Sequence, residues 1–271
     1  MKGTILEKIV ESKRRRVEQA KAAIDLSELN FMADEVRNRS DSHRLRDALE
    51  YRSKLNVIAE FKRASPSKGV INGSVDPVAI AAMYRAGGAA AISVLTEEDH
   101  FQGSLDDLRA VRATVDLPIL RKDFIFDEYQ IYEAAAAGAD AILLIAAMLN
   151  DDELEHLRSL AEDELGIDAL VEVHTLSELE RVISIGATLI GVNNRDLQTF
   201  HVSLNVSRDL IRHAPQSAVM ITESGLRIRD DLEELRELGY SGFLIGETLM
   251  RSSDPEDELR TWTTQQNKID G

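Results

Sequence analysis

The sequence of 271 residues contains no cysteine, only five prolines and one tryptophan, and its aromatic residues amount to 5%. Without cysteine there are no disulfides, no thiolate metal ligands and no cysteine nucleophile, a composition that suits a reducing cytoplasm. Positive charge is also short: 32 lysines and arginines stand against 48 aspartates and glutamates, for a formal net charge of −16. A sequence-independent nucleic-acid binder needs a basic face to neutralise phosphates, so this balance argues against one. Long apolar runs are missing as well. The longest uncharged one, Ala141 to Leu149, falls far below the ~20 residues of a membrane-spanning helix. The N-terminal stretch "MKGTILEKIVESKRRRVEQ" lacks the apolar centre of a signal peptide. Its basic run, Lys13 to Arg16, is flanked by Leu6, Ile9, Val10 and Val17 at helical spacing and reads as the solvated face of a helix.

Apolar residues are present at 44%, enough for a full core. Four segments share one pattern: "GAAAISV" from Gly88, "GADAILLI" from Gly138, "GATLIGV" from Gly186 and "GYSGFLI" from Gly239. Each glycine follows a helix-like stretch and opens a short apolar run, as a left-handed helix cap feeding a strand would. The spacing of about 50 residues is twice the length of one strand–helix unit in an eight-unit barrel. Each repeat should therefore hide a second strand, and "LNVIAE" (55–60), "LPILRK" (117–122), "IDALVEV" (167–173) and "AVMIT" (218–222) fall where those strands are needed. Helical periodicity fills the gaps, with Thr175 and Glu178 forming a capping-box pattern at the start of one helix. The reading is α/β, a single (β/α)8 TIM barrel forming one domain over residues 1–271, with residues 1–50 as an N-terminal helical extension packed over an end of the barrel. Its short second helix, near Ser42 to Glu50, carries Leu45 and Leu49. An open doubly wound sheet would need a phosphate-binding glycine fingerprint after the first strand, which "EFKRASPSKG" does not contain.

In a barrel of this kind the active site lies at the C-terminal ends of the strands. The residues there form a polar ring: Glu60 and Lys62, Lys122 and Asp123, Glu172 and His174, Asn193 and Arg195, Glu223 with Ser224 and Gly225, then Gly246 and Glu247. Glu60 and Lys62 are two residues apart, so a strand sends both to one face. Mixed charges in one cavity separate an acid from a base near neutral pH. Gly225 and Gly246 follow strands seven and eight, where such barrels often hold a phosphate on backbone N–H groups and a short helix; "GETLMRS" supplies that helix. His174, next to the helix-starting Thr175, reads as a histidine bonded to a loop backbone.

The motifs "IAEFKRASPSKG", "AISVLTE" with "FQGSLDDL", "PILRKDFIFDEYQI", "ALVEVHT", "IGVNNRDL", "ITESGL" and "LIGETLM", in this order and spacing, resemble the indole-3-glycerol-phosphate synthase family of tryptophan biosynthesis. The resemblance implies a carboxy-lyase that closes 1-(2-carboxyphenylamino)-1-deoxyribulose 5-phosphate to an indole, losing carbon dioxide and water, with no metal and no organic cofactor. It implies Lys122 as general acid on the ketone oxygen and Glu172 as acid or base on the intermediate. Glu60 would assist dehydration or orient the lysines, and Lys62 would meet the carboxylate or act as a second acid. Asn193 and Arg195 would position the substrate, with Ser65, Glu223 and Ser224 holding it and Phe101, Phe124 and Leu144 as apolar walls. Ser224, Gly225, Gly246 and the Glu247 amide would bind phosphate. Some family members carry serine in place of Glu247, so its carboxylate is expected to point away from the anion. Other tryptophan-pathway enzymes are the implied partners. Three rivals share the ring: a Schiff base on Lys122, a hard cation on Glu60, Glu172 and Glu223, and a noncatalytic binder of a phosphorylated metabolite.

Overall fold

The computed structural model describes residues 4–50 and 54–264. Eight short strands alternate with helices: β1 (Asn56–Phe61), β2 (Ala91–Leu95), β3 (Ile119–Lys122), β4 (Ala141–Ile145), β5 (Asp168–Val173), β6 (Leu189–Asn193), β7 (Val219–Glu223) and β8 (Gly242–Ile245). All neighbours pair in parallel, and β1 pairs with both β2 and β8, so the sheet closes into a barrel. The (β/α)8 architecture expected from the alternating pattern is the one observed. The four repeat glycines, Gly88, Gly138, Gly186 and Gly239, all have positive φ, between 84°, 86°, 75° and 122° respectively. They turn each helix end into the next strand at a conformation that side chains resist.

Residue parity along the strands decides what faces the interior. Ile58, Ala91, Leu120, Ala141, Leu143, Ile145, Leu170, Leu189, Ile221 and Leu244 pack together inside the barrel, while the intervening residues join the larger core between strands and helices. One step beyond this inner core, the same parity brings Glu60, Lys122, Glu172, Asn193 and Glu223 to the C-terminal mouth.

The N-terminal extension divides between the two ends of the barrel. Helix α1 (Ile5–Ala23) opens with a capping box between Thr4 and Glu7. It lies at the C-terminal mouth, where Ile5, Leu6 and Ile9 line the cavity. Helix α2 (Leu26–Arg37) packs on the barrel helix Glu128–Ala136. Helix α3 (Arg44–Leu49) closes the opposite end, inserting Leu45 and Leu49 into the inner core. Buried Asp168 fastens α3 by accepting from the Arg46 N–H at 3.0 Å and facing His43 Nδ1 at 3.1 Å.

The basic run of α1 is a solvated face at Arg14, Arg15 and Arg16, which are exposed, but not at Lys13. Lys13 is 2% exposed and bridges Asp123 at 3.0 Å and Glu98 at 2.6 Å. Arg16 pairs with Asp99 at 2.6 Å, and the Arg14 guanidinium stacks over Phe126 at 4.5 Å from the ring centre. The charges dock the helix because an acidic barrel rim offers them partners.

Candidate active site

The C-terminal mouth opens into a cavity of about 820 Å³, within the range of small-molecule sites. Its floor is the ring of strand-end side chains. Lys122 is the hub: its Nζ contacts Glu223 directly and lies 3.3 Å from Glu172 Oε2. Burial opposes the ammonium charge, but the carboxylates of Glu223, Glu172 and Glu60 outweigh it and hold Lys122 well above the ordinary lysine range. Glu60 and Lys62, on successive inward positions of β1 and its extension, are hydrogen-bonded to each other.

The two glutamates facing Lys122 are driven apart. Burial raises both carboxyls, yet Lys122, His174 and the Asn193 amide bring Glu172 below its usual value. Glu223 is pushed up by burial and by the charge of Glu172, against the pull of Lys122. One of its oxygens has no hydrogen-bond partner. The site thus sets a carboxyl of lowered and a carboxyl of raised proton affinity side by side, with a cation between them.

Ser224 and Gly225 follow β7 with φ of 69° and 86°. A serine in the left-handed region is strained, a feature that gathers at functional sites. Gly246 begins the short helix Glu247–Arg251; a side chain there would be driven into Oε1 of Glu60, so glycine lets β8 and the Glu60 carboxyl share one corner. The Glu247 side chain runs to Arg251 Nε at 3.2 Å and to Lys68 Nζ at 3.6 Å. Burial raises this carboxyl, but Lys68 and Arg251 hold it below the ordinary range. Its charge is met by two cations at the rim.

Among the sequence-predicted residues, Glu60, Lys62, Ser65, Phe101, Lys122, Phe124, Glu172, Asn193, Arg195, Glu223, Ser224, Gly225, Gly246 and Glu247 all line this one cavity. Ser65 sits in a two-stranded hairpin, Ala64–Ser65 against Gly69–Val70, at the cavity edge. Phe101 and Phe124 meet with ring centres 6.0 Å apart. Leu144 is a correction: it packs outward into the core between strands and helices, whereas Leu143 and Ile145 line the cavity. Strand parity forces that exchange. Asp123 also lines the cavity, with its carboxylate bonded to Thr96, Arg121 and Lys13. A second correction is His174, whose ring nitrogens face Glu172 and Glu178 rather than loop backbone.

The sequence pattern of the family described as indole-3-glycerol phosphate synthase matches residues 6–262. The chain belongs to the indole-3-glycerol phosphate synthase family. It is 50% identical over 258 residues to the indole-3-glycerol phosphate synthase of Carboxydothermus hydrogenoformans, covering 94% of this chain and 97% of that protein. The enzyme of the same name from Desulfosudis oleivorans is 44% identical over 261 residues, covering 96% and 98%. Among solved structures, 3-hexulose-6-phosphate synthase from Salmonella typhimurium superposes with a TM-score of 0.62 at 11% identity, over 77% of this chain and 96% of that one. Thiamine phosphate pyrophosphorylase from Pyrococcus furiosus gives 0.59 at 17%, over 80% and 95%. These two share the fold.

In this chain of the indole-3-glycerol phosphate synthase family, the cavity is also lined by residues that the strand-end ring did not include. Leu197 and Phe200, in the loop after β6, together with Leu6 and Ile9 of α1, wall the cavity. Helical spacing in α1 announced a buried face, but nothing local said what that face would cover. Lys68 likewise became visible only through Glu247.

Proposed function

We propose that this cavity converts 1-(2-carboxyphenylamino)-1-deoxyribulose 5-phosphate to indole-3-glycerol phosphate, carbon dioxide and water, the reaction for which the family is named. The observation that carries the reading is Lys122, a buried ammonium held between Glu172 and Glu223 at the mouth of a barrel of this family. In the first step the ring carbon bearing the carboxylate attacks the ketone carbon, and the ketone oxygen takes a proton from Lys122. Loss of carbon dioxide returns the bonding electrons to the aryl ring. The nitrogen lone pair then expels the new hydroxyl, which takes a second proton from Lys62 and leaves as water, and removal of a proton from the adjacent carbon completes the indole. Glu172, held ionised, is the base for that proton. Glu60 orients Lys62, which meets the substrate carboxylate, and Glu223 supports Lys122 and carries the proton that the glutamate pair retains.

Arg195 and Asn193 position the substrate chain, and Phe101 with Phe124 flanks the aryl ring. The phosphate lies against the amides of Ser224, Gly225, Gly246 and Glu247, with Ser65 from the hairpin. The mixed charge of the mouth supports this arrangement. Local cations, Lys68 and Arg251 among them, offset Glu247, so an anion can be held in a chain of net charge −16. We place the reaction in the cytoplasm, with the other tryptophan-pathway enzymes as suppliers and users of its small molecules; cell fractionation checks this.

The test is indole fluorescence on adding the substrate to the purified chain in EDTA, beside Lys122→Ala and Glu172→Ala. The parent is expected to form indole, and each folded variant to lose on the order of 10²–10⁴-fold in rate, the usual weight of one acid–base group. No indole from a folded parent overturns the reading. Borohydride trapping of substrate on Lys122 would then support the Schiff-base rival.

A further inference from the structure

Glu172 has two oxygens with different neighbours. Oε2 lies 3.3 Å from Lys122 Nζ, on the cavity side. Oε1 lies 3.4 Å from Nε2 of His174, two residues farther along the chain and on the same side of it. The far side of that ring meets α4 (Leu176–Ser184): Nδ1 is 3.6 Å from Glu178 Oε2, and the same oxygen accepts the His174 backbone N–H at 2.6 Å. Glu178 is itself fixed, since its N–H donates to Thr175 Oγ1 at 3.2 Å in the cap of the helix. The side chain of His174 is 11% exposed, and neither ring nitrogen completes a hydrogen bond with good geometry. It is absent from the cavity wall.

A neutral imidazole in this place would put at least one bare nitrogen lone pair against a carboxylate oxygen, which is repulsive. A protonated ring presents an N–H to each of its two glutamates. The charged groups around it are Glu172 on β5, Glu178 on α4, Glu223 on β7 and Asp196 in the loop after β6, all acidic; Lys122 lies beyond Glu172. The surroundings therefore favour the cation, although burial opposes it.

Resting on the function proposed above, we propose that His174 is a positioning residue for Glu172: as an imidazolium clamped between Glu178 and Glu172, it holds the Glu172 carboxylate turned onto Lys122. His174 does not touch the substrate space. It acts through Glu172, and Glu178 acts through it.

The experiment is the pH profile of kcat and kcat/KM for the parent, His174→Gln and Glu178→Gln, joined to a ¹⁵N NMR titration of the parent's imidazoles. Glutamine keeps a polar side chain but supplies no charge. Loss of the cation makes Glu172 easier to protonate, so the acid limb should move to higher pH by about one unit or more, the effect of one adjacent opposite charge. That limb reports the glutamate pair as a whole. We expect kcat of His174→Gln to fall about tenfold or more with KM changed less than about threefold, since only the base is misplaced. Glu178→Gln should shift the same limb in the same direction from outside the cavity.

In the spectra, His174 should stay protonated above the ordinary histidine range of about 6.5. An acid limb that stays put in folded His174→Gln, even with a lowered melting temperature, overturns the proposal. So does an imidazole that is neutral below that range. If His174→Gln does not fold, Glu178→Gln and the parent spectrum decide. A parent that forms no indole defeats the function proposed above. The spectrum still decides whether the clamp exists.

Discussion

Glu172 and Glu223 are both buried beside one ammonium, yet their carboxyls move in opposite directions. Glu172 has four stabilising neighbours, Lys122, His174, Glu223 through a hydrogen bond, and Asn193, whereas Glu223 has Lys122 and must also face the charge of Glu172. The shift has a consequence for stability as well as catalysis. The folded value of Glu223 is raised above the unfolded one, so across that interval the folded chain binds the extra proton and stability falls as pH rises. Glu223→Gln removes this site's titration. Relative to the parent, its unfolding free energy should improve steadily as pH climbs out of the ordinary carboxylate range, in urea unfolding at a series of pH values. A difference that is flat or of opposite slope would show that Glu223 is ionised in the fold. Its activity should fall, because an amide cannot pass on a proton.

At the scale of elements, α1 shows how four consecutive cations can have four different fates. A helix turns 100° per residue, so Lys13, Arg14, Arg15 and Arg16 point in successive directions. Lys13 enters the buried acid pair of Asp123 and Glu98, Arg14 stacks on Phe126 and Arg16 meets Asp99. Arg15 stays in solvent beside Glu11, its side chain 66% exposed. Lys13→Met should cost about 3–5 kcal/mol, because breaking a buried pair strands the opposite charge. Arg15→Ala should change stability by less than about 0.5 kcal/mol. Chemical denaturation of both variants checks the pair, and equal effects would contradict the docking described for α1. Asp123 follows Lys122 directly, so loosening α1 should also raise KM by freeing the loop that carries Phe124.

For the whole molecule, the barrel is sealed at one end by α3 and roofed at the other by α1. We propose that extension and barrel form one domain with a single unfolding transition, since Leu45 and Leu49 belong to the innermost core. Leu49→Ala should cost about 2–5 kcal/mol, the range for emptying a packed leucine site. It should lower the one melting transition rather than split it in two. A separate early transition for the extension would refute the single-domain proposal.

Much of this architecture was legible in local pattern. Eight apolar runs, four repeat glycines and intervening helical periodicity specify a barrel, because a short buried strand and a helix cap each have a strong local signature. The strand-end ring was legible for the same reason: the fold places every strand's C-terminal end at one mouth, and alternation tells which residues face it. Where alternation was not applied, at Leu144, the reading went astray, since the inward neighbours Leu143 and Ile145 were the cavity residues. Helix α1 had a local pattern for its buried face and none for its destination. Which surface an amphipathic helix covers depends on complementary groups far away in the chain, here Glu98, Asp99 and Asp123 for Lys13 and Arg16. The same holds for the protonation pattern of Glu172, Glu223 and His174. The sequence by itself determined which ionisable groups reach the mouth; only the tertiary structure decided their charges, because a charge state depends on burial and on the few ångströms to the next charge.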